Sequence, residues 1–264
     1  MGRDPVSAFS DVDAADQPEE FVAYLDVAAA ALSERRRLRY PLLALTPGGS
    51  VLDAGCGAGE VCADLREIVG PAGRVVGVDA SATMIATARQ RVADVEFDVA
   101  DVHALAFDAS AFDAVRSERV LQHVDDPARA VREMARVVRP GGRVVLTDPD
   151  HFQADLATDH REVWAAAHSY GAGAVRNPQA GLRLREWLIG AGLEPLELVS
   201  STLEFGWEGF RAMHRLDEAI AAAVEAGRID SAAGAALIAE QDARDAAGIF
   251  YAAGVGYTAV GTKP

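Results

Sequence analysis

The stretch Val51-Leu52-Asp53-Ala54-Gly55-Cys56-Gly57-Ala58-Gly59-Glu60 reads as a buried strand, a glycine loop and the start of a helix. Glycines let the chain turn sharply and let a ligand approach without meeting a Cβ. The spacing is G-x-G-x-G, and Glu60 stands where the dinucleotide fingerprint would require its third glycine. No Gly-Lys-Ser/Thr follows, so the loop is not a P-loop, and the missing lysine argues against a triphosphate. Asp53 would repel a pyrophosphate but can accept a hydrogen bond from, or pair with, a cationic amine.

Outward from this loop the sequence alternates. Ser50–Ala54 is expected as the first strand, and the helix after the loop should run to about Val69. Arg74–Asp79 reads as a second strand, and Ser81 as the N-cap of a helix carrying Met84, Ile85, Ala88 and Val92. Val95–Val99 and Phe112–Arg116 follow as strands, with Pro127 opening the next helix. After Pro140-Gly141-Gly142 comes the fifth strand, Arg143–Thr147. Upstream, helical spacing runs from Phe21 to Leu45 and stops at Thr46-Pro47-Gly48-Gly49. Downstream, helices are expected over Leu156–Tyr170 and Leu182–Ala191, a strand over Glu194–Leu203 and helix from Glu208 to about Phe250, broken at Gly227 and Gly234. Gly256–Thr262 closes the chain as a strand. Strand–helix alternation predicts an α/β, Rossmann-like, seven-stranded, mostly parallel sheet with helices on both faces and helical lid insertions. The corresponding organisation is a helical lid segment over 1–45, a ligand-binding core over 46–150, and the rest of the sheet with substrate-lid insertions over 151–264.

In open α/β sheets, ligands bind outside the carboxyl ends of the strands, near the switch in strand order. Asp79 ends the second strand about 20 residues past the glycine loop, a position suited to ribose hydroxyls. Asp101 follows the third strand, where its carboxylate can accept an exocyclic amine while a backbone N–H serves a ring nitrogen. An amine-bearing tail, a ribose and an adenine together outline S-adenosylmethionine.

The segments VLDAGCGAGE (51–60), VVGVDAS (75–81), DVADVHALAFDASAFDAV (98–115), ERVLQHVDDP (118–127) and ARVVRPGGRVVLTDPD (135–150) resemble the class I S-adenosylmethionine-dependent methyltransferases. The resemblance is to the branch of ubiquinone/menaquinone C-methyltransferases and natural-product small-molecule methyltransferases. It is close over residues 40–150 and loose beyond. It implies that Asp79, next to Ala80, holds the ribose, and that Asp101 and Val102 hold the adenine with Met84 packed on its face. It further implies that Asp53, Gly55, Cys56 and Gly57 pass close to the methionyl and ribose part. Arg119, or an arginine of the 35–39 cluster, is a candidate partner for the cofactor carboxylate, against the alternative of a structural salt bridge. His123 is the candidate general base for a hydroxyl or amine acceptor, with Asp148 as its acidic partner. The competing reading makes His123 a pin for the segment before Pro127 and Asp148 a turn residue before Pro149.

Other residues are weaker candidates. Tyr24 is either part of an N-terminal lid or simple packing. His160 and His168 lie two helical turns apart, but no third ligand is evident and no metal is expected. Trp164, Tyr170, Trp187, Phe205, Trp207 and Phe210 are candidates for an apolar pocket or for ordinary packing.

Composition narrows the partners. Acidic residues outnumber basic ones by 40 to 25, for a formal net charge of −15, which repels nucleic acid and anionic membranes. Cys56 and Cys62 are too few for a disulfide framework, and a reducing cytoplasm is the simplest compartment. Neither a signal sequence nor a membrane span is expected. The expected function is methylation of a small organic molecule at oxygen, nitrogen or carbon, as in secondary metabolism, by a cytoplasmic monomer or homodimer. The alternative is a methyltransferase-like protein that binds the cofactor but catalyses cyclisation or decarboxylation, and a cofactor sensor without turnover is a third possibility.

Overall fold

The computed structural model describes residues 12–14, 33 and 36–264. Most of the helix expected over Phe21–Leu45, with Tyr24, lies outside these residues. Within them, residues 36–39 are helical (α1) and give way to a 3-10 turn at Tyr40–Leu43, so the helix stops short of Leu45. Pro41 lacks the N–H that a continuing α-helix would use.

The glycine loop joins β1 (Ser50–Ala54) to α2 (Glu60–Val69). Then follow β2 (Arg74–Asp79), α3 (Ala82–Arg91), β3 (Glu96–Val99), β4 (Phe112–Glu118) and α4 (Pro127–Val137). Ser81 caps α3 by accepting from Met84 N–H, and Asp126 caps α4 by accepting from Arg129 N–H, with Pro127 in the first turn. The chain continues through β5 (Val138–Leu156), α5 (Arg161–Gly173), α6 (Ala180–Gly190), β6 (Glu194–Phe205), α7 (Trp207–Met213), α8 (Leu216–Glu225), α9 (Ser231–Ala246) and β7 (Ala252–Thr262).

The seven strands form one sheet in the order β3-β2-β1-β4-β5-β7-β6, with only β7 running antiparallel to its neighbours. Order reverses between β1 and β4, so their carboxyl ends flank the ligand crevice. Side chains alternate across the sheet as period 2 demands. Leu52 joins one core cluster with Val115, Met134 and Leu184, while Val51 joins the opposite one with Leu65, Ile85 and Ala114. The helical insertions have a core of their own, including Leu156, Trp164, Phe210, Leu216 and Leu237.

Three expectations change. The fifth strand is longer than Arg143–Thr147 and takes in Pro140-Gly141-Gly142, where Gly141 N–H donates to Lys263 O and Lys263 N–H to Gly142 O. A register shift against β4 between Phe112 and Ala114 absorbs the extra residues. Leu156 ends β5 instead of opening a helix, which starts only at Arg161. Gly227 does break the last helical region, but Gly234 sits inside α9, close-packed against Ile220.

Candidate functional site

The glycine loop is pinned to the end of β2. Gly55 and Cys56 N–H both donate to Val78 O, at 2.7 and 2.9 Å, and Gly57 N–H donates to Asp79 Oδ2 at 2.9 Å. Gly55 requires its lack of a side chain, because its φ is +84° and a Cβ would lie 2.1 Å from Val120 Cγ2. Asp79 also accepts from Ser81 N–H at 3.0 Å. Burial pushes the Asp79 carboxyl up from its ordinary value, against these amide bonds.

Around this loop lies a cavity of about 410 Å³. It is lined by Asp53, Gly55, Cys56, Gly57, Asp79, Ala80, Met84, Asp101, Val102 and Arg119, so every residue expected to hold the cofactor faces one space. His123 lines it as well. Asp148 does not: it is 1% exposed, behind the wall, and its Oδ1 accepts Gln122 N–H at 3.3 Å. Burial raises its carboxyl to about 8, and its Oδ2 has no hydrogen-bond partner among the described residues. Asp148 therefore holds the loop that carries Gln122 and His123.

The methionyl end of the crevice is a buried ion network that motif reading did not resolve. Arg116 Nη1 donates to Asp53 Oδ1 at 2.9 Å, and Arg116 also pairs with Glu118. Glu118 in turn meets Arg36 at 3.0 Å and Arg39 at 3.5 Å. Burial pushes Glu118 up, but the guanidinium groups of Arg116, Arg36 and Arg39 prevail and hold it below its ordinary value. Burial raises Asp53, with Arg116 opposing. Within the network three guanidinium groups meet two carboxylates. The only sequence signal for it was the 35–39 arginine cluster, since Arg116 and Glu118 look like ordinary strand residues.

At the opposite end Asp101 Oδ1 accepts from His103 N–H at 2.9 Å and lies 2.6 Å from His103 Nδ1. Despite partial burial, these bonds hold Asp101 below its ordinary value. Val12 also lines the cavity, and Asp13 beside it accepts from Ser81 Oγ, Ala82 N–H and Thr83 N–H at 2.6, 2.6 and 3.2 Å.

The donor set fits S-adenosylmethionine. Asp79 suits the ribose, Asp101 and the Val102 amide the adenine, and the mixed-charge network a zwitterionic amino-acid tail.

The same cavity is lined, beyond the residues of the cofactor cradle, by a histidine-rich group. His123, His151, His168, His214 and Trp164 contribute, the last alone among the aromatics considered for an apolar pocket. Trp207 and Phe210 belong to the insertion core and Trp187 packs under the sheet. His168 stacks on Trp164 with ring centroids 4.7 Å apart, and its Nε2 bonds His151 O at 2.7 Å. His160 precedes α5 as its N-cap residue. Among the described residues no group of three or more His, Cys, Asp or Glu is arranged to hold a metal.

A seven-stranded sheet with this switch point, carrying an adenosyl-type cradle and an adjoining chamber, defines the class I methyltransferase architecture. Residues 52–146 match the methyltransferase domain family. The chain is 36% identical over 251 residues to an uncharacterized 37.1 kDa protein in a transposon of Streptomyces fradiae, covering 92% of this chain and 71% of that one. It is 36% identical over 180 residues to a trans-aconitate 2-methyltransferase of Azoarcus, covering 65% and 68%. With a ubiquinone/menaquinone biosynthesis C-methyltransferase of Hahella chejuensis it shares 38% identity over 107 residues, 38% of this chain and 43% of that one, so it spans less than half of that relative. The cyclase SpnF has the same fold, with a TM-score of 0.55 at 24% identity over 86% of this chain and 80% of that one. The chain belongs to the S-adenosylmethionine-dependent methyltransferase family.

Proposed function

We propose that this chain methylates a small organic acceptor held in the histidine-lined chamber, with S-adenosylhomocysteine as the second product. The observation that carries this reading is the single cavity joining the cofactor cradle to that chamber. S-adenosylmethionine supplies an electrophilic methyl group on a sulfonium, so the protein needs to position the acceptor and exclude water.

In this reading Asp79 and Ala80 hold the ribose, Asp101, Val102 and Met84 the adenine, and Asp53, Gly55, Cys56 and Gly57 the tail. Arg119 and Arg36 face the tail carboxylate from the cavity wall. His123 contributes to the acceptor chamber, while Asp148 acts through the Gln122 backbone amide as a positioning residue. A lid role for the segment before residue 46 is supported by Val12 and Arg36, which line the cavity. Residues 46–150 form the cofactor core, and the insertions after 150 cover the acceptor.

The acidic balance supports a small molecule over nucleic acid or membrane as partner. No described helix is long and apolar enough to cross a membrane. A cytoplasmic monomer or homodimer acting in secondary metabolism completes the proposal. Incubation with methyl-labelled S-adenosylmethionine and a panel of small hydroxy, amino and carboxylic acids, trans-aconitate included, tests it. Labelled product with equimolar S-adenosylhomocysteine is expected; conversion of an acceptor without label would mean a cofactor-dependent reaction of another class.

A further inference from the structure

Strand β5 slips register against β7 between Asp150 and Ala154. Bulges of this kind re-aim a side chain, and here His151 joins the cavity wall beside Gln122 and His123. The bulge is well anchored. His151 N–H donates to Pro178 O at 2.8 Å, and Asp150 accepts from Phe152 N–H and Gln153 Nε2 at 2.9 and 2.6 Å.

Gln122 fixes the proton positions of both histidines. The Arg119 carbonyl can only accept, so the amide end 3.2 Å from it is the Nε2 donor. That nitrogen also lies 2.9 Å from His123 Nε2, which must therefore present its lone pair. A neutral His123 ring then keeps its proton on Nδ1. The other amide end, Oε1, is 2.6 Å from His151 Nε2, which must carry the proton. The lone pair of His151 is left on Nδ1, for which no hydrogen-bond partner exists among the described residues. Burial, with Arg119 and the neighbouring rings His123 and His168, pushes His151 down to about 3, and burial with Arg119 and Arg176 does the same to His123. Both rings are thus neutral.

We propose that His151 Nδ1 receives the hydrogen of a protic acceptor, a hydroxyl or an amine, and that Gln122 is the positioning residue that holds His151 in its Nε2–H tautomer. This rests on the methyl-transfer reading. As the acceptor heteroatom gains its methyl bond it gives up one proton to Nδ1. The positive charge lost when the sulfonium becomes a thioether leaves as that proton, which crosses Nδ1 to solvent because burial and Arg119 keep the ring from resting as an imidazolium. A carbon acceptor without such a hydrogen offers nothing to the lone pair that His151 turns to the cavity, so the site favours a protic acceptor.

The test uses the full chain labelled with 15N-histidine. Long-range 1H–15N correlation spectra, assigned with His123→Gln and His151→Gln variants, report each tautomer without turnover. His151 is expected as Nε2–H and His123 as Nδ1–H, both neutral at pH 6. Gln122→Leu should release both rings into tautomer exchange. Gln122→Glu, which cannot donate to His123, should convert His123 to Nε2–H. An Nδ1–H tautomer at His151 in the parent protein, or a Gln122→Glu variant with His123 unchanged, would overturn the proposal. His151→Ala should lower kcat/KM for a hydroxyl or amine acceptor at least about ten-fold while the Kd for S-adenosylhomocysteine stays constant. An unchanged kcat/KM also overturns it. Methyl transfer with His151 as Nδ1–H defeats this proposal alone. No transfer to any acceptor, with tautomers as stated, defeats the methyl-transfer reading and the acceptor role with it.

Discussion

Asp148 shows how burial redefines a residue that its position made look catalytic. Its place just past the expected strand Arg143–Thr147, next to Pro149, matches that of an acidic partner for His123, yet its side chain lies behind the cavity wall and supports the Gln122 amide. A carboxyl raised from 3.8 to about 8 is neutral in the folded protein over much of the working range. Its contribution to stability is full below pH 3.8 and is lost as pH rises toward 8, because the unfolded chain ionises first. Asp148→Asn keeps the accepting oxygen and removes the titration. Urea unfolding of both proteins should show the variant gaining on the parent by up to about 1.4 kcal/mol per pH unit across that window. A constant difference from pH 4 to pH 8 would refute the assignment. Gly55 gives the sharper steric test. Gly55→Ala places a Cβ against Val120 in a left-handed backbone, and calorimetry should find S-adenosylhomocysteine affinity reduced at least about ten-fold.

The elements around the cavity differ in how far a linear reading could reach them. Strands β1 to β4 with their helices were legible because each local signal agreed with the others: a glycine loop after an apolar run, Ser81 before α3, Pro127 in the first turn of α4. The path of β5 was not, because Pro140-Gly141-Gly142 carries turn chemistry and only its pairing with Lys263 at the far end of the chain keeps it in the sheet. The bulge that delivers His151 is likewise a product of partner strands and not of local propensity. The ion network has the same character, since Asp53, Arg116 and Glu118 meet only when β1 and β4 lie side by side. Arg116→Leu leaves the buried Asp53 without its guanidinium partner, while Glu118 keeps Arg36 and Arg39, and should cost about 3–5 kcal/mol in urea unfolding; a loss under about 1 kcal/mol would show that water or other cations replace the guanidinium. At the cradle's outer edge, Asp13→Ala removes three acceptor contacts to the start of α3. The expected loss is about 0.5–2 kcal/mol, as for an N-cap, read as a lower thermal midpoint that added S-adenosylhomocysteine only partly restores.

For the molecule as a whole, a fold shared with other methyltransferases is combined with a cavity wall of its own. The sheet order places the cofactor crevice at the β1/β4 switch, and the same fold in the cyclase SpnF shows that architecture alone does not choose the chemistry. What chooses it is the content of the chamber that α5, α7 and α8 build over the crevice, where Trp164, His168, Met213 and Leu216 meet His123 and His151. Those residues come from parts of the chain far apart in sequence and only loosely like the family, which is why the methyl donor was readable and the acceptor was not. The glycine loop therefore accounts for one half of the reaction, the methyl donor. Mass spectrometry of acceptors incubated with S-adenosylmethionine carrying a deuterated methyl group examines the other half. The account predicts the intact labelled methyl on an oxygen or nitrogen of the acceptor, with one S-adenosylhomocysteine formed per product; acceptor conversion with the labelled cofactor left whole would contradict it.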